Sequence, residues 1–160
     1  MNNLHAMYQE NYTEWAEKTA ELLKAGKFSE LDIEHLLEEL AGMGASERNE
    51  LESRLTILIA HLLKWQFQYQ QLSARWQEFK GDSWRSTIIE QRTRLAKRLR
   101  KSPGLKANLQ AVITEAYEDA VELAIKETRL PTTIFPTECP YTSKQLFDDD
   151  FYPEHIELKS

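Results

Sequence analysis

Two short stretches hold the side chains best suited to chemistry. HLLKWQFQY (residues 61–69) and SWRSTIIEQR (83–92) each set a tryptophan beside a basic residue. At about 100° per residue, Trp84, Ile88, Leu95 and Leu99 form the apolar side of a helix, and Arg85 and Arg92 fall within its margin. A guanidinium drawn out of water needs a carboxylate or several carbonyls as partners. Acids at inward or facing positions are Glu115, Asp119 and Glu127 further along, and Asp32, Glu38 and Glu39 earlier. The candidate site is therefore a buried ion pair or anion pocket built from Arg85, Arg92, Glu127, Glu39 and Asp119. Enough acids face inward to neutralise both arginines, which favours the structural ion pair over a pocket for an outside anion.

The other reactive groups carry less. His61 sits at the edge of an apolar stripe, where a lone histidine is ordinarily a boundary residue with its own hydrogen bond. Lys64 falls on the opposite side of its helix from Trp65, so HLLKW reads as a core-forming turn with a solvated lysine. Trp65, Tyr69, Trp76 and Trp84 are expected in the core. Helical carboxylate metal sites use Glu-x-x-His pairs; this chain has only the reversed His35-x-x-Glu38, and His5 and His155 lie near its ends. No metal, no cofactor and no small-molecule ligand is expected. Cys139, between Glu138 and Pro140, lacks a neighbouring base and reads as a plain thiol. There is no phosphate-binding glycine loop and no nucleophile elbow.

The elements that position these groups are helices. Proline is absent before Pro103, and no segment alternates convincingly enough to be a strand. Helical spacing predicts a first helix from Tyr8 to Ala25, with Tyr8, Tyr12, Trp15, Ala16, Thr19 and Leu23 on one side and Gly26 ending it. A second, capped by Ser29 or Asp32, turns Leu36, Leu37, Leu40 and Met43 inward. GMGAS (42–46) is expected to break it, with Ser46 capping the next. The strongest stripe follows: Leu51, Leu55, Leu58, Ile59, Leu62, Trp65 and Tyr69, extendable through Leu72, Trp76 and Phe79. A fourth helix is expected from Trp84 to Lys101 and a fifth from Leu105 to Thr128, the latter with an alanine-rich inward face. The proline-rich remainder is expected to lie back across the bundle through Ile134, Phe135, Tyr141, Leu146, Phe147, Phe151 and Tyr152. Its one short helix is capped at Thr142 or Ser143. The fold class is thus all-α: a bundle of about five helices with a long central helix and an extended C-terminal arm, in one domain over 1–160 (core 8–128, arm 129–160).

With 160 residues, 41% apolar and 29% charged, the chain suits a folded soluble protein. No 18-residue apolar run spans a membrane, and MNNLHAMYQENYTEW lacks a secretory pattern. One cysteine fits a reducing cytoplasm, the expected location. Charge is segregated: residues 1–52 are net −8 and residues 84–101 net +6. Arg94, Lys97, Arg98 and Lys101 share a face that could meet phosphates, yet the chain is net −6 and no aromatics for base stacking flank that face, so nucleic acid is not the expected partner.

HLLKWQFQ, SWRSTIIEQR, AYEDAVELAIKETRLP and FPTECPYTSKQLFDDDFYP, in this order, resemble the bacterial "domain of unknown function 29" family, abundant in cyanobacteria. The resemblance runs from Tyr12 to Pro153 and implies an all-helical fold. It marks Glu39, Leu40, Leu62, Leu63, Lys64, Trp65, Trp84, Ile88, Arg92, Glu127, Pro140, Tyr141 and Phe151 as recurrent positions. The stretch from Gln70 to Gly81 is longer than the connection in many members. The family brings no established activity. The leading expectation is a non-enzymatic helical protein that works through protein contacts, as a homodimer. The alternatives are a nucleic-acid-linked regulator or toxin-neutralising partner using residues 84–101, and a small-anion binder or enzyme at Arg85, Arg92 and His61.

Overall fold

The computed structural model describes residues 3–69 and 81–155, so the expected continuation through Leu72, Trp76 and Phe79 lies outside the described residues. The chain forms two compact units, Met1–Ser46 and Glu47–Ser160. Six α-helices are described: α1 Leu4–Glu10, α2 Tyr12–Ala25, α3 Ile33–Phe67, α4 Asp82–Lys101, α5 Leu109–Thr128 and α6 Ser143–Leu146. No strand occurs among the described residues, so the fold is all-α as expected. No helix among them is long and apolar enough to cross a membrane.

In the first unit the expected single helix from Tyr8 to Ala25 is two. Asn11 leaves the helical region (φ −149°, ψ 83°), and its side chain accepts a hydrogen bond from the Glu14 N–H, which restarts the chain as α2. Gly26 then closes α2 in the left-handed conformation. The unit buries Leu4, Trp15, Thr19, Asp32 and His35. The expected break at GMGAS does not form: α3 runs through Gly42, Gly44 and Ser46. Neither glycine takes a positive φ. A glycine inside a helix costs about 1 kcal/mol, which good formers on both sides can absorb.

The second unit is built on the remainder of α3. Leu51, Leu55, Leu58, Ile59 and Leu62 are completely buried against Ile88, Leu95 and Leu99 of α4 and Val112, Ile113, Ala116, Ala120 and Ala124 of α5. The alanine face of α5 lets a neighbouring backbone come close. The expected start of that helix at Leu105 moves to Leu109, because Pro103–Asn108 winds as a 3₁₀ segment.

The arm packs on the same core. Phe135, Tyr141 and Leu146 are buried, with Ile134, Phe147, Phe151 and Tyr152 against them. Thr142 and Gln145 form a reciprocal capping box that starts α6. Two phenols anchor the arm: Tyr117 donates to the Pro136 carbonyl at 2.5 Å, and Tyr141 donates to Gln66 Oε1 at 2.7 Å. Burial, with Cys139 adding, pushes Tyr117 up to about 12 and Tyr141 well above its usual value. In an unfolded chain both ionise near pH 10. Stability is therefore complete below about pH 10 and falls as pH rises towards 12, because only the unfolded state releases these protons. Thermal unfolding followed by circular dichroism from pH 9 to 11.5 should show this decline, and Tyr117→Phe with Tyr141→Phe should flatten it.

Candidate functional site

Arg92, Arg85 and Lys64 point to different partners, and the arm supplies many of them. Arg92 is fully buried, as the margin of α4 predicts, but among the described residues it forms no ion pair, and Asp148 and Asp149 act on it only through their field. Its Nε donates to the Leu146 carbonyl at 2.9 Å and its Nη2 to the Gln145 carbonyl at 3.2 Å, both at the end of α6. The guanidinium also lies 5.5 Å from the Tyr152 ring centre. Burial lowers its pKa below the usual arginine range. Carbonyls serve two of its nitrogens because α6 ends over α4; the Gln145 carbonyl, which also accepts the Asp148 N–H at 3.3 Å, is shared between backbone and guanidinium.

Arg85 corrects the expectation of a second buried guanidinium. It is exposed, and its charge rests 5.3 Å from the Trp65 ring and 5.1 Å from the Tyr152 ring. Aromatic faces, which need no proton bookkeeping, take the place of a carboxylate. Trp65 is itself buried among Tyr69 (4.7 Å), Tyr152 (4.9 Å) and His155 (5.7 Å), and His155 Nδ1 lies 2.8 Å from the Trp65 carbonyl. Gly81 must be glycine: its φ is +69°, and a Cβ there would sit 2.4 Å from the Tyr69 ring.

Lys64 is the largest correction. It is buried rather than solvated. Its Nζ pairs with Glu127 of α5 and lies 5.2 Å from the Trp84 ring centre. Helical phase fails here because α3 is enclosed on nearly all sides: Leu58 to Ala60 and Leu62 to Trp65 are all buried. A helix surrounded in this way has no wet face for the lysine. His61, half-buried beside this pair, keeps its Nδ1 2.8 Å from the Ile57 carbonyl. Burial, with the Lys64 charge adding, holds its pKa below the usual value.

The five-residue ion-pair site is not assembled. Arg92 meets carbonyls, Arg85 meets rings, Glu127 meets Lys64, and Asp119 is exposed. Glu39 lies in the first unit, where it accepts from Tyr8 at 2.5 Å and from Tyr12 at 2.7 Å. These bonds lower the Glu39 pKa and raise that of Tyr8 to about 12. The basic face of α4 is also partly neutralised. Arg98 pairs with Glu50 of α3, and Arg94 with Glu90 at 3.1 Å, while Lys97, Arg100 and Lys101 are exposed. Burial raises the Cys139 thiol pKa, which suits a plain thiol.

Two features of the first unit escaped the sequence reading. Of the residues expected inward, Leu37 (60%), Leu40 (56%) and Met43 (64%) face outward and Leu36 alone is half-buried; Ile33, 50% exposed, extends the outward row. The adjoining face, with Asp32, His35 and Glu39, meets α1 and α2 through hydrogen bonds and stacked rings. Polar contacts took the buried side, which hydrophobic periodicity cannot reveal. The second feature is the convergence of His5, Asp32 and His35. His5 Nδ1 lies 3.2 Å from Asp32 Oδ1, and His35 Nδ1 2.6 Å from Asp32 Oδ2. Asp32 and His35 are buried and His5 is exposed. Burial pushes the Asp32 carboxyl pKa up, but bonds from both histidines and Trp15 outweigh it, leaving the net shift downward. The spacing Asp32-x-x-His35 at a helix start was the available signal; only the tertiary fold brings His5 to it.

The family model described as "Domain of unknown function DUF29" matches residues 7–152. No curated protein and no solved structure matches the chain.

Proposed function

Because the chain belongs to the DUF29 family, whose description assigns no activity, we propose its role from its surface: a non-enzymatic helical protein that acts by protein contact, with a second copy of itself as the partner. The observation that carries this reading is the uncovered row Ile33, Leu37, Leu40 and Met43 on α3. Four large apolar side chains, each at least half exposed along one helix, form a contiguous patch of the kind that marks an interaction surface. Gly42 and Gly44 lie beside the row, and a Cβ at either would meet nothing within 4 Å, so another backbone has room to approach.

Charge supports this choice of partner. The row sits in a unit with nine acids and three bases, net −6. Glu34 and Glu38 stand exposed at its edge. Two such rows facing each other would place like charges together. The α4 helix of a second chain offers the complement: exposed Ile89 and Ala96 with exposed Lys97 and Arg100. A two-fold pair of chains uses this contact twice. Opposite charge sets register and partner choice while the apolar row supplies the driving force.

Sedimentation velocity from 1 to 100 µM tests this. The wild-type chain should dimerise. Lys97→Glu with Arg100→Glu should weaken association at least about tenfold, and adding Glu34→Lys with Glu38→Lys should restore it. A wild-type monomer throughout that range, or a dimer indifferent to both reversals, overturns the proposal.

A further inference from the structure

We propose that His5, Asp32 and His35 bind a divalent transition-metal ion of the zinc class, with an open coordination position towards the cleft beside α1. This goes beyond the contact function and rests on none of its residues. Three donors come from three separate places in the chain: α1, the residue before α3, and the first turn of α3. Their ligand atoms all lie within 4.8 Å of one another. Two imidazole nitrogens and one carboxylate oxygen form a donor set that holds zinc or iron(II) where a site stays open to substrate or water.

The surroundings are those of a ligand set rather than of a loose surface cluster. Trp15 Nε1 donates to Asp32 Oδ2 at 3.2 Å, fixing the carboxylate from behind. Tyr8 stacks on the His35 ring at 4.0 Å with planes 13° apart, and the Tyr8 hydroxyl is in turn tied to Glu39. Outer partners of this kind orient the inner ligands in metal sites. On the open side, His5 and His35 line a cleft of about 290 Å³ with Ala6, Gln9 and Glu10. A water or another oxygen donor can therefore reach a bound ion.

The geometry needs the ligands to shift: the His5 and His35 rings, with centres 4.3 Å apart and planes 31° apart, must turn so that both Nδ1 lone pairs meet one ion. Bonds of about 2.0–2.1 Å place neighbouring ligand atoms roughly 2.9–3.3 Å apart. The His5–Asp32 separation of 3.2 Å already fits; the His35–Asp32 separation of 2.6 Å must widen slightly. The ion replaces the Nδ1 hydrogens, so both imidazoles carry their remaining proton on Nε2. Without the ion the same three groups form a hydrogen-bonded helix cap, since the His35 N–H also approaches Asp32 Oδ1 at 3.4 Å.

The experiment is titration of chelator-treated full-length chain with Zn²⁺ by calorimetry, paired with Co²⁺ absorption spectroscopy. One ion per chain should bind, with a visible Co²⁺ band of the intensity given by four or five ligands. His5→Ala removes an exposed ligand and leaves the fold intact, so it should weaken binding by at least tenfold. His35→Gln should weaken it further. His155→Ala, in the second unit, should leave it unchanged. Absence of stoichiometric binding, or equal binding by wild type and His5→Ala, overturns the proposal and leaves the cluster as a helix cap.

Discussion

Arg92→Ala should lower the unfolding free energy by about 3 kcal/mol, with the loss centred on the arm. Three consequences add. The Gln145 and Leu146 carbonyls lose charged donors at 3.2 and 2.9 Å. The Tyr152 ring loses its cation. A side chain only 2% exposed leaves a cavity among the core residues. One effect opposes these: Arg92 Nη1 is buried with no hydrogen-bond partner among the described residues, so the native arginine carries a desolvation cost that alanine removes. Arg92→Met separates the contributions. It refills most of the volume and removes the unpaired donor, but takes the charged donor from both carbonyls, of which that of Gln145 keeps only the Asp148 N–H, so its cost should be about 1–2 kcal/mol. Arg92→Lys keeps charge but cannot fork to two acceptors, and should fall between the two. Urea unfolding ranks the three variants. A methionine variant less stable than the alanine one would mean that volume and desolvation matter little here.

The leucine stripe from Leu51 to Leu62, the burial of Arg92 and the return of the arm were legible because each rests on local spacing. Leucine at three- and four-residue intervals can face only one way, and seven arm residues were too apolar for solvent. What stayed hidden depends on which neighbours arrive. The helical phase of Leu36, Leu37, Leu40 and Met43 matched an inward face, yet α1 and α2 docked on the side of Asp32, His35 and Glu39, where stacked rings and hydrogen bonds hold them, and only Leu36 is half-buried. Asn11 is one residue in an otherwise helical pattern, and only its own dihedral angles reveal that it divides α1 from α2. Arg85 and Arg92 share one phase on α4, but arm residues decide their fates: α6 carbonyls cover one, and Tyr152 with Trp65 supports the other. His5 joins Asp32 and His35 across 27 and 30 residues of sequence. No spacing rule links positions so far apart.

Lys64 and Glu127 should respond unequally to removal, and the inequality follows from burial. The Lys64 side chain is 7% exposed and the Glu127 side chain 41%. Glu127→Gln strands an ammonium group inside the second unit, with the Trp84 face 5.2 Å away. Breaking a fully buried pair costs about 3–5 kcal/mol. Water reaches the Glu127 side and screens part of the interaction, so about 2–3 kcal/mol is expected instead. Lys64→Met leaves a carboxylate that water can solvate and an apolar side chain that suits its enclosed position, so the loss should stay below about 1 kcal/mol. The double variant should resemble Lys64→Met, because once the ammonium is gone the acid has no buried charge to neutralise. A double-mutant cycle in urea measures this directly, with an expected coupling of about 2–3 kcal/mol, the whole cost of Glu127→Gln. If Lys64→Met proved costlier than Glu127→Gln, the lysine would be stabilising the core by more than its ion pair. If the two changes were additive, the pair would contribute nothing beyond solvated charges. The direction of the inequality also bears on function. A lysine held in this way by an acid and an indole has its charge already answered within the protein, whereas Lys97 and Arg100 stand exposed on α4, where the proposed contact would use them.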